Sequence, residues 1–116
     1  MSHDYTELTG ELSGALRQIR KAIPEVTNGF SAMAKAATAD GVLDPKTKEL
    51  LAMGIAIAVR CQGCLGFHAQ TLVKLGATRE EFMEMLGMAV YMGGGPSLMT
   101  AAEALLAFEE FQAKAS

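Results

Sequence analysis

The stretch 44-DPKTKELLAMGIAIAVRCQGCLGFHAQTLVKLG-76 decides how the rest of the chain is read. Asp44 can accept hydrogen bonds from free backbone amides, and Pro45, with its fixed φ and missing N–H, suits the first position of a helix. A helical run from Lys46 to about Val59 follows. Arg60 to Gly66 then carries two glycines and both cysteines of the chain. Phe67 to Leu75 returns to helical spacing before Gly76 stops it. The whole stretch is expected to form a helical hairpin.

The flanks extend the same pattern. Leu8, Leu12, Leu16, Ile19 and Ile23 recur at steps of three and four, one stripe down a helix that Pro24 ends. Val26, Phe30, Met33, Ala34 and Ala37 share a face of a second helix, with Asp40-Gly41 as its stop. Beyond the hairpin, Thr78-Arg79-Glu80-Glu81 has a capping-box pattern, and Phe82, Met85, Leu86, Ala89 and Val90 line one face after it. Gly93-Gly94-Gly95-Pro96 is the strongest breaker in the chain. It lacks the Lys-Ser/Thr of a phosphate loop and reads as a turn where backbones approach closely. Leu98, Ala101, Ala102, Leu105 and Phe108 form the stripe of a last helix. No segment alternates with period two for long enough to be a strand. The expected fold is all-α, a compact bundle of about six helices in a single domain over residues 1–116.

Composition narrows the function. Half of the 116 residues are hydrophobic before the 12 glycines are counted, above the ~45–50% that soluble domains reach with glycine included. A domain this small buries only about two-thirds of its chain's surface, so the excess points to a subunit interface. The eight methionines read as core and subunit packing. Ten Lys+Arg against 13 Asp+Glu give a net charge of -3 with no basic cluster, which excludes nucleic acid. The longest apolar run, Leu50 to Val59, is half of what a membrane span needs, and the N-terminus has no signal-peptide pattern. A cytoplasmic protein is expected, in which two cysteines are unlike a permanent staple. His3, Glu80, Glu81 and Glu84 read as surface, and Tyr91 as a core or interface aromatic.

The chemistry concentrates at Cys61-Gln62-Gly63-Cys64, with His68 four residues on. At about 100° per residue, Cys61, Cys64 and His68 fall within about 60° of one another on a helix. If Cys61 begins that helix, free amides, the positive end of the dipole and adjacent Arg60 all favour thiolate over thiol. His68 can take the thiol proton and later return it to a leaving group. In an antiparallel hairpin, positions 49 and 68 lie abreast if the turn centres near residues 58 and 59. Glu49 would then face His68, fix its tautomer and balance the imidazolium, a relay from Glu49 through His68 to Cys64.

Glu49, Cys61, Cys64 and His68, at these spacings, resemble the E-x11-C-x2-C-x3-H signature of the alkylhydroperoxidase AhpD-like, carboxymuconolactone decarboxylase family. The resemblance implies an all-α protein that assembles as a trimer or hexamer. It also implies a thiol peroxidase or disulfide reductase, acting on a small peroxide or disulfide and restored by an external dithiol such as a lipoyl carrier, with no bound cofactor. Carried onto this chain, it makes Cys64 the peroxidatic thiolate, Cys61 the resolving cysteine, and Glu49 and His68 the proton relay. Helix-end electrostatics alone would favour Cys61 as the nucleophile. The chain departs from the best-known peroxidase members, which have a second His between the cysteines where Gln62 and Gly63 stand here. Three alternatives remain beside this reading. They are a zinc site built from Cys61, Cys64, His68 and Glu49, an oligomeric redox sensor without turnover, and a family enzyme that is not a peroxidase.

Overall fold

In a computed structural model describing residues 4–116, the chain folds into six helices joined by short connections: α1 (Tyr5–Ala22), α2 (Pro24–Thr38), α3 (Pro45–Ala58), α4 (Gln62–Lys74), α5 (Arg79–Gly93) and α6 (Gly95–Ala115). No strand occurs among the described residues. His3 lies outside them. Local chemistry sets most boundaries as the sequence predicts. The Asp44 carboxylate accepts from the Thr47 amide at 2.7 Å with Pro45 at the first helical position. Thr78 and Glu81 complete a reciprocal capping box at the start of α5. Pro24 both ends α1 and opens α2, with only Ile23 between them.

The body is formed by α3 to α6 and the first turns of α1. α4 is central, packed most extensively on α6 and also on α3 and α1. Tyr5, Met53, Ile57, Leu65, Leu72, Phe82 and Phe108 are buried, and Phe82 and Phe108 stack with ring centroids 4.3 Å apart. Glu110, near the end of α6, fastens α1 to the body by accepting from the Tyr5 amide at 3.0 Å and from the Thr6 amide and hydroxyl at 2.7 Å each. Asp4 takes the next amide, Glu7. The first turn of α1 therefore has its orphan donors satisfied by one local carboxylate and one distant one.

Two expected stripes meet a different fate. α2 packs on α1 and has no buried residue; Val26, Phe30 and Met33 are all more than 60% exposed. Leu16, Ile19 and Ile23 on α1 are also exposed. The periodicity correctly marks an apolar face on each helix, but these faces project from the body as a two-helix arm. Lys48 braces the arm's far end by donating to the carbonyls of Ala37 and Ala39. On α6 the buried face is rotated from the expected one. Ser97, Thr100, Ala101, Ala104, Ala107, Phe108 and Phe111 turn inward while Leu98 is 53% exposed. Small side chains allow α6 to pack closely on α4, which outweighs the size of Leu98, while Leu105 stays partly buried against the core. Tyr91 is exposed as well, not in the core of the chain.

Candidate active site

The α3–α4 connection is tighter than the glycines of Arg60–Gly66 imply. α3 ends at Ala58 and α4 begins at Gln62, so only Val59, Arg60 and Cys61 lie between. The Arg60 amide donates to Ile57 O at 3.2 Å and the Cys61 amide to Ala56 O at 3.0 Å, the paired bonds of a Schellman motif. The motif demands a left-handed residue after the helix, and Arg60 supplies it at φ 60°. The end of α4 uses the same two bonds, from Gly76 to Val73 O and from Ala77 to Leu72 O, with glycine at φ 77°. Arg60 is thus a strained residue where glycine is the usual choice, directly before the first cysteine.

Cys61 is the N-cap of α4, and its Sγ accepts from the Cys64 amide at 3.2 Å. The two cysteines are joined as a disulfide, with Cα atoms 5.2 Å apart. Gly63 and Gly66 lie inside α4 and do not break it. A Cβ at Gly63 would stand 2.7 Å from Leu12 Cδ1, and one at Gly66 would stand 2.6 Å from Thr9 Cγ2. Gly66 thus faces the buried Thr9 and Gly63 the end of the Leu12 side chain, and this close crossing of α1 over α4 favours a pair of helix-disfavouring residues inside a helix.

Glu49 and His68 meet across the hairpin as the register argument expects. Glu49 Oε1 lies 2.6 Å from His68 Nδ1, and Glu49 is 9% exposed. A buried carboxylate on Nδ1 orients the ring and leaves Nε2 as the nitrogen available to a reacting group. His68 follows Cys64 by one helical turn, and Cys64 packs against the hydrophobic core. The four expected residues thus sit on the facing sides of α3 and α4. No group of three or more His, Cys, Asp or Glu is placed to hold a metal ion among the described residues.

A set of three further residues escaped the sequence reading. Tyr5 is fully buried. Burial, with the Glu103 carboxylate nearby, pushes its phenol above the usual range, while a hydrogen bond with Gln62 opposes the rise. Gln62 Nε2 also donates to Glu103 Oε2 at 3.4 Å. Tyr5, Gln62 and Glu103 therefore pin the first turn of α4 from the side opposite α3. Nothing in the local sequence announces this set, because its members come from three helices.

A helical hairpin with a cysteine pair at its turn and a carboxylate–histidine pair abreast of it defines a small all-α protein of the CxxC type. Its sequence profile places it: residues 24–107 match the carboxymuconolactone decarboxylase family, and the chain belongs to that family. A family protein from Legionella pneumophila has a crystal structure that is 62% identical, with a TM-score of 0.92 over 96% of this chain and 99% of that one. A Thermotoga maritima family protein, described in connection with an antioxidative response, is 28% identical with a TM-score of 0.79 over 90% of this chain and 92% of its own. An uncharacterised protein of Cupriavidus necator is 37% identical over 97% of this chain and the whole of its own length.

Proposed function

We propose that the protein is a thiol-dependent peroxidase or disulfide reductase that cycles Cys61 and Cys64 between dithiol and disulfide. The observation that carries this reading is the 2.6 Å contact between Glu49 and His68 one turn from a bonded cysteine pair. The antioxidative connection described for the Thermotoga maritima relative points the same way. His68 accepts the Cys64 thiol proton, with Glu49 balancing the charge that develops on the ring. The Cys64 thiolate attacks the peroxide O–O bond and becomes a sulfenic acid. The leaving alkoxide takes the proton from His68. Cys61 then attacks the sulfenic sulfur, giving the disulfide and water, and an external reductant, one dithiol or two monothiols, returns the pair to its reduced form.

The fold supports an assembly. Val26, Phe30 and Met33 on the arm, and Leu51, Ile55, Met88 and Met92 along an apolar groove between α3 and α5, leave large apolar side chains uncovered. A homo-oligomer, trimeric or hexameric as the family resemblance implies, would cover them. No described helix is long and apolar enough to cross a membrane. A cytoplasmic location fits a cysteine pair that must be kept reducible.

The test is the intact mass of the reduced protein after brief exposure to one equivalent of an alkyl hydroperoxide. A loss of about two mass units that a dithiol reverses supports the cycle, and an unchanged mass removes it. Cys64→Ser should abolish peroxide consumption. His68→Ala should slow it about 100-fold or more at neutral pH and less at high pH, where the thiol ionises unaided.

A further inference from the structure

Three sides of α4's first turn are used differently. At about 100° per residue, Cys64 and His68 belong to the α3 side, Gly63 and Gly66 to the α1 side, and Gln62 and Leu65 to the α6 side. Cys61 stands between the α3 and α6 sides. On the α6 side Arg60, Gln62, Leu65, Thr100 and Glu103 line a cavity of about 340 Å³. Unlike the apolar groove between α3 and α5, it is lined by an arginine, a glutamate, a glutamine and a buried threonine beside one leucine. The Arg60 side chain makes no ion pair among the described residues. Glu103 is held in place by Gln62.

We propose that this cavity binds the head group of a zwitterionic low-molecular-weight thiol and presents its sulfur to Cys61 of the oxidised pair. The inference rests on the redox reading above and names the reductant class for it. A plain anion would face Glu103 and a plain cation would face Arg60. A head group carrying both carboxylate and ammonium satisfies each wall. The volume lies at the small end of ligand pockets and admits an amino acid or short peptide.

The reaction balances with two equivalents of thiol. The first, as thiolate, attacks Cys61 Sγ. The Cys61–Cys64 bond breaks, and its electron pair leaves on the Cys64 sulfur, to which His68 delivers a proton. A second thiolate attacks the ligand sulfur of the mixed disulfide, so the ligand is released as its symmetrical disulfide. Cys61 leaves as a thiolate at the N-cap, where the Cys64 amide already donates to its sulfur. The Cys61 thiolate then takes up the proton given up by the second thiol, so the protein gains two electrons and two protons, and two thiols become one disulfide.

The experiment reduces the oxidised full-length protein anaerobically with L-cysteine or with 2-mercaptoethanol, stops the reaction by alkylation and follows intact mass. The readout is the ratio of the two rate constants, compared between wild type, Arg60→Gly and Glu103→Gln. Arg60→Gly suits the left-handed backbone at that position, and Glu103→Gln keeps an oxygen for Gln62, so both changes spare the fold. Each variant is expected to lower the ratio about three- to fivefold, as is typical of losing one solvent-accessible charge pair. A mixed disulfide with cysteine should form on Cys61 in Cys64→Ser treated with cystine. A ratio unchanged in both variants overturns the cavity assignment while leaving the redox cycle standing. Failure of both thiols to reduce a wild-type disulfide that dithiothreitol reduces overturns the monothiol proposal, and failure of dithiothreitol as well overturns the redox reading itself.

Discussion

Gly63 occupies the place where better-known peroxidase relatives carry a histidine, and a side chain there meets α1. A Cβ on residue 63 would lie 2.7 Å from Leu12 Cδ1, whereas carbon atoms rest at about 3.5–4.0 Å, so the two must separate by about 1 Å. Overpacking of this kind costs about 1–3 kcal/mol. The helix returns up to about 1 kcal/mol when alanine replaces glycine. Gly63→Ala is therefore expected to destabilise by up to about 2 kcal/mol. In a Leu12→Ala background the obstruction is gone, and the same change should stabilise by up to about 1 kcal/mol. The assay is a four-member cycle of urea melts on wild type, Gly63→Ala, Leu12→Ala and the double variant, with unchanged m-values as the sign that the fold is kept. The coupling energy should come out at about 1–3 kcal/mol in favour of the double variant. Coupling within about 0.5 kcal/mol of zero would refute the claim that α1 excludes a side chain from the cysteine loop.

Arg60→Gly should raise stability by about 1 kcal/mol in the same denaturation assay, because relief of left-handed strain exceeds the added freedom of the unfolded chain. A loss would show that the arginine side chain contributes more than its backbone costs. Glu110 feels burial first, which raises its pKa, but the bonds from Thr6 and Tyr5 prevail and hold the carboxyl below its usual range. Its contribution is therefore full above the unfolded carboxyl value near ~4.3 and lost as pH falls through the lower folded value. Glu110→Gln should cost about 1–2 kcal/mol at neutral pH and flatten that acid limb, read by hydrogen exchange at the first turn of α1. Gly93 abuts Ser97, whose buried hydroxyl has no hydrogen-bond partner among the described residues. Gly93→Ala should destabilise by at least about 1 kcal/mol, and adding Ser97→Gly should recover most of the loss in thermal melts.

What the sequence made legible was whatever is settled within a few residues. Asp44 with Pro45, Thr78 with Glu81, and Pro24 each act on amides one turn away, and each sets the boundary expected of it. The pairing of Glu49 with His68 was legible too, because an antiparallel hairpin fixes register once its turn is located. The turn lies a residue or two later than the sequence placed it, and the long glutamate side chain absorbs the difference. The hidden features depend on distant partners. Gly63 and Gly66 look like breakers until Leu12 and Thr9 are seen against them. Glu110 is more than 100 positions from the amides it caps. Arg60 sits where local rules ask for glycine. Periodicity shows that a helix has an apolar face but not what covers it, so the stripes of α1 and α2 were readable and their exposure was not.

The placement of α1 ties these features to function. Its first turn is held by Glu110, and from there the helix crosses α4 at Gly66 and Gly63, closing the side of the cysteine loop where a second histidine would stand. The α3 side of the pair carries the Glu49–His68 contact, and the α6 side carries the cavity lined in part by Arg60 and Glu103. Tyr5 links the arrangement, since it is buried in the same first turn of α1 and reaches Gln62 and Glu103 on the cavity side. A histidine at position 63 would have to displace the end of the Leu12 side chain. The packing of α1 thus favours glycine at position 63, and under the proposed function it leaves His68 as the histidine of the relay.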